Sequence, residues 1–180
     1  TKSMSDHIVV AGLGRIGYRI AHELAELEVP FVVIERETGS AFARELQETG
    51  VPVIFGEARS KTVLERANVA SARAIILATD DDIANLDAAL TAREIHPGIR
   101  VVLRLFDDAL ASRVAKAFNL PALSASQQAA PAFVAAALER QVYQRMEIGG
   151  AVIFLADFTV TGDSPVTGRT IGAVSKEYDV

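Results

Sequence analysis

The sequence HIVVAGLGRIG, residues 7–17, leads from a short apolar run directly into three closely spaced glycines. A continuous apolar run of this length, bounded by a turn signal, is typical of a strand buried on both faces of a sheet. From Arg15 to Leu27 the apolar residues recur at helical spacing. The order strand, glycine turn and helix predicts the opening unit of a parallel sheet covered by helices.

The same alternation of apolar runs and amphipathic segments continues along the chain and predicts the other elements. Strands are expected at residues 31–35, 52–55, 74–79, 101–106 and 121–124, and helices at residues 40–49, 61–67, 83–95, 110–118 and 127–146. Six parallel strands joined by right-handed crossovers form a doubly wound α/β sheet of the Rossmann type, which is the fold class that we predict.

A second segment begins at Gly149-Gly150, where the composition changes. Residues 151–160 again have strand character, and turn residues follow at 162–165. The roughly thirty residues after the two glycines are too few for a core of their own. We therefore expect residues 5–148 to form one domain and residues 149–180 to be either an appendage or the truncated start of a second domain. Because the chain stops at Val180, just after a helix-like stretch and without a closing turn, it reads as a piece of a longer protein.

Composition and charge narrow the classes of function. Half of the 180 residues are hydrophobic and 23% are charged, which is the balance of a globular domain. The formal net charge of −5 argues against broad binding to nucleic acid, and no apolar run approaches the ~20 residues of a membrane-spanning helix. The chain contains no cysteine, and its three histidines lack metal-ligand spacing, so no metal site is predicted from them.

The three glycines have the spacing GxGxxG of a dinucleotide fingerprint, and they follow a strand and open a helix as it requires. In such a turn Gly12 allows the tight bend, Gly14 lets a pyrophosphate approach the backbone, and Gly17 lets the helix pack on the strand. Glu35 lies 18 residues further on, at the end of the second strand, where a carboxylate accepts hydrogen bonds from an adenosine ribose. Because Glu35 would repel a 2′-phosphate, this pattern favours NAD or an adenine nucleotide over NADP.

Two arginines beside these residues have two interpretations each. Arg15 could contact phosphates of a ligand, or of a neighbouring subunit's ligand, or it could be a solvated residue of the first helical turn. Arg36 could contact the nucleotide, by stacking on an adenine or by accommodating a 2′-phosphate, or it could lie in solvent. The spacing leaves both pairs of interpretations open.

Polar residues also follow the fourth and fifth strands. Three aspartates come directly after Thr79, and they suggest either a hard-metal site or helix capping, which we favour for Asp82. Asp80 and Asn85 are expected to face a ligand crevice at the carboxyl ends of the strands. Arg104 is a charge within an apolar strand and should meet either a carboxylate or a ligand phosphate.

The sequence has no GxSxG elbow and no YxxxK pair, and we assign no catalytic residue. Because the nucleotide fold takes most of the chain, no substrate domain remains for hydride transfer, and a sensor is favoured over an enzyme. One alternative is a fragment of an NAD-dependent oxidoreductase whose catalytic domain lies beyond Val180. Another is a nucleotide-binding interaction module without a membrane partner.

Several linked motifs resemble the RCK or TrkA-N regulatory domain of potassium channels and transporters, from about Asp6 to Leu138. These motifs are DHIVVAGLGRIG (6–17), FVVIERE (31–37), VIFGEARSKTVLERANVASARAIILATDDDIANL (53–86) and VVLRLFDDA (101–109). The tail VTGDSPVTGRTIGAV (160–174) is similar to the opening of the TrkA-C module.

The resemblance implies a cytoplasmic domain that senses a ligand and gates a potassium channel or transporter at the inner face of the membrane. It implies NAD(H), ATP, ADP or AMP as the regulatory ligand, and a homodimer that assembles into a larger ring. The helical segment 129–146 is a candidate for the dimer contact or for packing against its own sheet. The gate would respond because the ligand binds one assembly better than another.

The resemblance also assigns ligand-binding positions. They are Gly12, Gly14, Arg15 and Ile16 for the phosphates, Glu35 and Arg36 for the ribose, Gly56, Glu57 and Ala58 near the adenine edge, Thr79, Asp80 and Asn85 in the crevice, and Arg104 for a phosphate or ribose. Glu57 stands where the family usually has aspartate. Calcium-gated members have carboxylates at the end of the fifth strand, where this sequence has Arg104 and Phe106, so a calcium site is not predicted.

Overall fold

A computed structural model describes residues 4–118, 122–124, 129–130, 133, 142–148, 151–156 and 160–178. The first part alternates strands and helices, as the sequence predicts. Its elements are β1 (Ile8–Ala11), α1 (Arg15–Glu26), β2 (Phe31–Glu35), α2 (Ala41–Glu48), β3 (Val53–Phe55), α3 (Lys61–Arg66), β4 (Ala74–Leu77), α4 (Asp82–Ile95), β5 (Arg100–Arg104), α5 (Asp108–Phe118) and β6 (Ala122–Leu123). Further along are β7 (Val142–Ile148), β8 (Ala151–Ala156) and α6 (Ile171–Tyr178).

Strands β1 to β6 form one parallel sheet in the order β3-β2-β1-β4-β5-β6. This is the strand order of a doubly wound Rossmann-like sheet, so the predicted fold class is confirmed. The order reverses between β1 and β4, and this switch point opens a crevice at the carboxyl ends of the strands, where ligands of such folds bind.

The core lies on both faces of the sheet because the central strands are apolar throughout. Val9 and Ala11 of β1 pack into one cluster, together with residues of α3, α4 and α5. Val10 points to the opposite face and packs with Ala21 of α1 and Leu46 of α2. Helices therefore cover both faces, which explains why these strands show no alternation of apolar and polar residues.

The predicted helix at 127–146 is wrong at its carboxyl end. Residues 142–148 form β7, which pairs antiparallel with β8 across Gly149-Gly150. Two glycines between strand-like runs are a hairpin signal, and the predicted helix, which ends at residue 146, covers most of the first strand of this hairpin. Of residues 127–141, the structure describes only 129, 130 and 133, which are helical.

By its internal contacts the chain divides into two compact units, Thr1–Gln128 and Ala129–Val180. The predicted boundary after residue 148 lies between the paired strands β7 and β8. The assignment of 149–180 to a second, truncated module stays a prediction. Within the described residues, no helix has the length and apolar character needed to span a membrane.

Candidate functional site

The glycine turn between β1 and α1 has a backbone that requires glycine at two positions. Gly12 has φ +90°, in the left-handed region, and a Cβ there would lie 2.8 Å from the backbone nitrogen of Thr79. A Cβ at Gly17 would lie 1.8 Å from the carbonyl oxygen of Gly12, because α1 packs directly on the turn. These contacts match the structural roles that the fingerprint predicts for Gly12 and Gly17.

Gly14 differs from the other two, because nothing in the described chain lies within 4 Å of the position of a Cβ. It is the N-cap residue of α1, with φ −70° and ψ −172°, an extended conformation that other residues adopt readily. Helix α1 has no side-chain cap and no acidic residue in its first turn. Its first backbone N–H groups therefore remain available, and together with the helix dipole they favour an anion.

Glu35, at the carboxyl end of β2, is tied to the same turn. Its Oε2 accepts a hydrogen bond from the backbone N–H of Leu13 at 2.7 Å, and its Oε1 accepts one from the N–H of Glu37 at 2.8 Å. Two backbone amides thus orient the carboxylate, while each oxygen can still accept a further hydrogen bond. The bond to Leu13 joins two elements that are far apart in the sequence, and no motif predicts it.

These groups line a cleft of about 680 Å³ that follows the ends of β1 to β5. All of the predicted site residues line this cleft except Gly17 and Asn85. The predicted residues that line it are Gly12, Gly14, Arg15, Ile16, Glu35, Arg36, Gly56, Glu57, Ala58, Thr79, Asp80 and Arg104. The lining residues that were missed are Leu13, Ile34, Glu37, Gly39, Ser40, Ala41, Phe42, Arg59, Ala78, Asp81 and Ala84. Most of these flank a predicted residue or belong to the turn between β2 and α2, so reading each strand end a few residues further would have found them.

Two of the arginines at the cleft have no hydrogen bond or ion pair to any described part of the chain: Arg15 at the start of α1 and Arg36 after β2. Both side chains are exposed. Arg59 lines the same cleft, with its Nε 4.0 Å from Oε2 of Glu57. An exposed pair at this distance contributes little to stability, so Arg59 remains available to a ligand as well.

Phe42 forms part of the wall of the cleft between α1 and α2. Its ring stacks on Tyr18 with the centroids 4.4 Å apart. The Tyr18 hydroxyl donates a hydrogen bond to Glu45 of α2, and this bond raises the pKa of Tyr18 above its ordinary value. The stack and the hydrogen bond connect the helix that follows the glycine turn to the helix that follows Glu35.

Asn85 does not face the crevice, contrary to the prediction. It is fully buried in α4, where its Oδ1 accepts hydrogen bonds from the hydroxyl of Thr79 at 2.6 Å and from the N–H of Thr79 at 3.2 Å. Its Nδ2 donates to the carbonyl oxygens of Thr79 at 3.1 Å and Arg104 at 3.0 Å. Asn85 therefore holds the ends of β4 and β5 together behind the two residues that line the cleft.

Asp82 is not the N-cap residue of α4, although it lies in the first helical turn, where its charge complements the helix dipole as expected. Asp81 is the N-cap residue, and its Oδ1 accepts hydrogen bonds from the N–H groups of Ile83 and Ala84. Asp82 instead accepts from the backbone N–H of Phe106, after β5. Among the described residues, no three histidine, aspartate or glutamate side chains form a group that could hold a metal ion.

Arg104 ends β5 and is half-buried. One of its Nη atoms donates a hydrogen bond to the carbonyl oxygen of Thr79 at 3.0 Å, and its guanidinium lies over the ring of Phe106, 3.7 Å from the centroid. Its Nε is buried without a hydrogen-bond partner in the described structure. The protein partners of this charge are thus a carbonyl group and an aromatic ring, rather than the carboxylate that was one of the two predicted alternatives.

The sheet order and the glycine turn define the class of Rossmann-like domains. Within that class, the family model of the TrkA-N domain matches residues 8–119, which is more than half of the chain. The chain therefore belongs to the TrkA-N domain family, and the predicted resemblance is confirmed.

The relatives of this chain include potassium transport proteins. The chain is 37% identical over 105 residues to the Trk system potassium uptake protein TrkA homolog of Pyrococcus horikoshii, covering 56% of this chain and 44% of that protein. It is 27% identical over 103 residues to potassium channel protein 1 of Methanocaldococcus jannaschii, covering 57% of this chain and 31% of that protein. The chain thus spans less than half the length of these relatives.

Solved structures share the fold. The Kef CTD of Shewanella denitrificans in its AMP-bound form has a TM-score of 0.65 at 20% identity, covering 74% of this chain and 79% of that chain. The GsuK channel bound to NAD has a TM-score of 0.66 at 22% identity, covering 97% of this chain and 31% of that chain.

Proposed function

We propose that this chain is a ligand-sensing regulatory domain that binds NAD(H) or an adenine nucleotide in the cleft and gates a potassium channel or transporter by rearranging its oligomer. The observation that carries the proposal is the convergence of the open glycine turn and the Glu35 carboxylate on one cleft. The turn suits a phosphate, and the oriented carboxylate suits the hydroxyl groups of a ribose.

The charges of the cleft support NAD(H), ATP, ADP or AMP as the ligand class. A 2′-phosphate at the ribose would lie beside the Glu35 carboxylate and be repelled by it, which disfavours NADP. Arg15 is exposed beside the turn and could neutralise phosphates that extend past the backbone N–H groups. The bound AMP and NAD of the two structural neighbours support the same class.

The relatives that the chain matches indicate the kind of partner it has. Because relatives of the chain are a potassium channel protein and a potassium uptake protein, the membrane partner that we propose is a potassium channel or transporter subunit. This subunit is part of the same chain or a separate one. We propose that the domain lies in the cytoplasm at the inner face of the membrane, as a homodimer that assembles into a larger ring. The dimer contact proposed for 129–146 lies mostly outside the described residues.

The proposed mechanism is a difference in ligand affinity between two assemblies. A ligand shifts an equilibrium only by as much as it binds one state better than the other. The residues that line the cleft come from the carboxyl ends of five strands. A shift of these strand ends relative to one another would therefore change the contacts with the ligand. The names of the relatives support this regulatory role over the alternative of an oxidoreductase fragment.

Calorimetric titration of the purified chain with NAD⁺, NADH, ATP, ADP and AMP tests the proposal, with the mass in solution measured by light scattering before and after ligand addition. We expect at least one of these nucleotides to bind and to change the mass or its distribution. Binding without any change in assembly would overturn the gating mechanism but retain the ligand site. Absence of binding to all five would overturn the site itself.

A further inference from the structure

Phe106 is a large apolar residue in an unexpected place. It follows β5 directly, its side chain is 54% exposed, and its ring faces the guanidinium of Arg104 at 3.7 Å. A phenylalanine so exposed gains little from burial, so the contact with Arg104 is the main interaction that the described structure gives this ring. A guanidinium over an aromatic face is attracted by the electron density of the ring.

The backbone at Phe106 is held in place from the neighbouring helix. The carboxylate of Asp82, the first residue of α4, accepts the N–H of Phe106 at 2.9 and 3.0 Å through its two oxygens. It also accepts the N–H of Asp107 at 3.3 Å. Hydrogen bonds to an ionised group are among the stronger ones in proteins, so Asp82 fixes the point from which the ring projects.

Arg104 is correspondingly restricted, and yet most of its donors are unused. The carbonyl oxygen of Thr79 takes one of its five N–H groups, and Asn85 holds that same carbonyl from behind. The ring of Phe106 covers one face of the guanidinium. Its Nε is buried, so the donors left for a ligand are the remaining N–H groups of the two Nη atoms, which lie in the plane of the guanidinium and can face a phosphate.

We propose that Phe106 is a positioning residue, which holds Arg104 for the part of a nucleotide that lies beyond its first phosphate. The proposal rests on the proposed nucleotide site. Without the ring, the arginine side chain would sample several rotamers, and ordering it on binding would cost conformational entropy. With the ring in place, that ordering is already complete before the ligand arrives.

The strand order indicates which ligands reach Arg104. Glu35 ends β2, the glycine turn follows the adjacent β1, and Arg104 ends β5, two strands beyond β1 on the other side. Neighbouring strands are ~4.8 Å apart, so the backbone of Arg104 lies on the order of 10 Å past the turn. Its guanidinium reaches back to the carbonyl oxygen of Thr79, after β4, which is only one strand beyond β1. An AMP whose ribose meets Glu35 ends with its single phosphate at the turn. Only a longer ligand, such as ADP or NAD⁺, extends toward Arg104.

Calorimetric titration with ADP and AMP tests the proposal on a small set of variants. They are the wild type, Phe106→Leu, Phe106→Tyr, which keeps an aromatic face, and Phe118→Leu, an exposed phenylalanine of α5 that does not line the cleft. The Phe106→Leu change is also made in an Arg104→Gln background. Thermal unfolding of each variant verifies that the fold is retained.

We expect Phe106→Leu to weaken ADP roughly two- to five-fold, the effect of one cation–π contact at an exposed site, and to leave AMP unchanged. Phe106→Tyr and Phe118→Leu should bind both nucleotides as the wild type does, and Phe106→Leu should have no further effect once Arg104 is Gln. Equal losses for ADP and AMP, the same loss in the Arg104→Gln background, or no loss would overturn the positioning role. A wild type that binds neither ADP nor AMP would also overturn the positioning role as stated for ADP, whereas the proposed function would be overturned only if NAD⁺, NADH and ATP failed to bind as well.

Discussion

Gly14→Asp is expected to stabilise the domain and to weaken nucleotide binding, two effects of opposite sign at one residue. Gly14 is the N-cap of α1, which has no side-chain cap and no acid in its first turn. Aspartate is among the preferred N-cap residues because its carboxylate accepts a backbone N–H of the first turn and complements the helix dipole. A new Cβ meets nothing within 4 Å, so the substitution should cause no clash.

The magnitudes of the two effects can be worked from this geometry. Capping and the dipole together should raise the free energy of unfolding by about 0.5 to 1 kcal/mol. In the complex the same carboxylate would lie within about 4 Å of the phosphate, where like charges repel by about 1 kcal/mol in water and about 4 kcal/mol near a protein surface. The affinity should therefore fall at least roughly five-fold and up to about a thousand-fold.

Gly14→Asn is the matched control, because asparagine caps a helix as well as aspartate does but carries no charge. Urea unfolding and calorimetric titration with ADP should be measured for the wild type and both variants. The expected order of stability is Asp and Asn above Gly, and the expected order of affinity is Gly, then Asn, then Asp. If the aspartate variant binds ADP as tightly as the wild type, no phosphate lies at this helix start. If it unfolds, Gly14 is a structural requirement, and the geometric reasoning is wrong.

Three further changes test the surroundings of the site. Asn85→Ala leaves buried groups of β4 and β5 without partners and should lower the free energy of unfolding by about 2 to 4 kcal/mol in urea; a loss below about 1 kcal/mol would contradict its linking role. His7→Leu removes the buried hydrogen bond to the carbonyl oxygen of Ala67 and should cost about 1 to 2 kcal/mol in the same assay, whereas unchanged stability would show that this bond contributes nothing. Glu45→Gln should lower the pKa of Tyr18 toward its ordinary value, measured by NMR titration of the phenol, and an unmoved titration would refute the Glu45 contact. Because that pKa is raised by folding, the contribution of this hydrogen bond to stability is complete below about pH 10 and is lost as the pH rises through the raised value.

Local sequence patterns determined the fold and the outline of the site. The apolar run of β1 can only be buried on both faces, and the positive φ at Gly12 and the contact of Gly17 with the turn are conditions that only glycine meets. Since parallel strands need crossovers of one hand, their alternation with helices largely dictates the doubly wound sheet. The residues at the strand ends then line one cleft because parallel strands all end at the same edge.

The misjudged positions depend on partners that are distant in the sequence. Asn85 lies one turn into a helix that begins at the site, but its amide has the right length to join two strand ends, so it is buried behind them. Asp81 and Asp82 are neighbouring residues of the same type, so the sequence does not distinguish which of them caps α4. The direction of each side chain relative to the loop after β5 decides this. The strand at 142–148 is the exception, because its partner β8 follows directly after Gly149-Gly150 and the hairpin signal is local.

By itself, then, the sequence determined which backbone conformations the chain adopts locally and which strand ends carry polar groups, because these depend on residue type and spacing. The tertiary structure alone decided which of those polar groups meet each other and which stay available. Leu13 and Glu35 share a hydrogen bond, and Arg104 has a ring over it instead of a carboxylate beside it. Hydrogen bonds and aromatic contacts act over a few ångströms, and only folding brings groups of separate strands within that range.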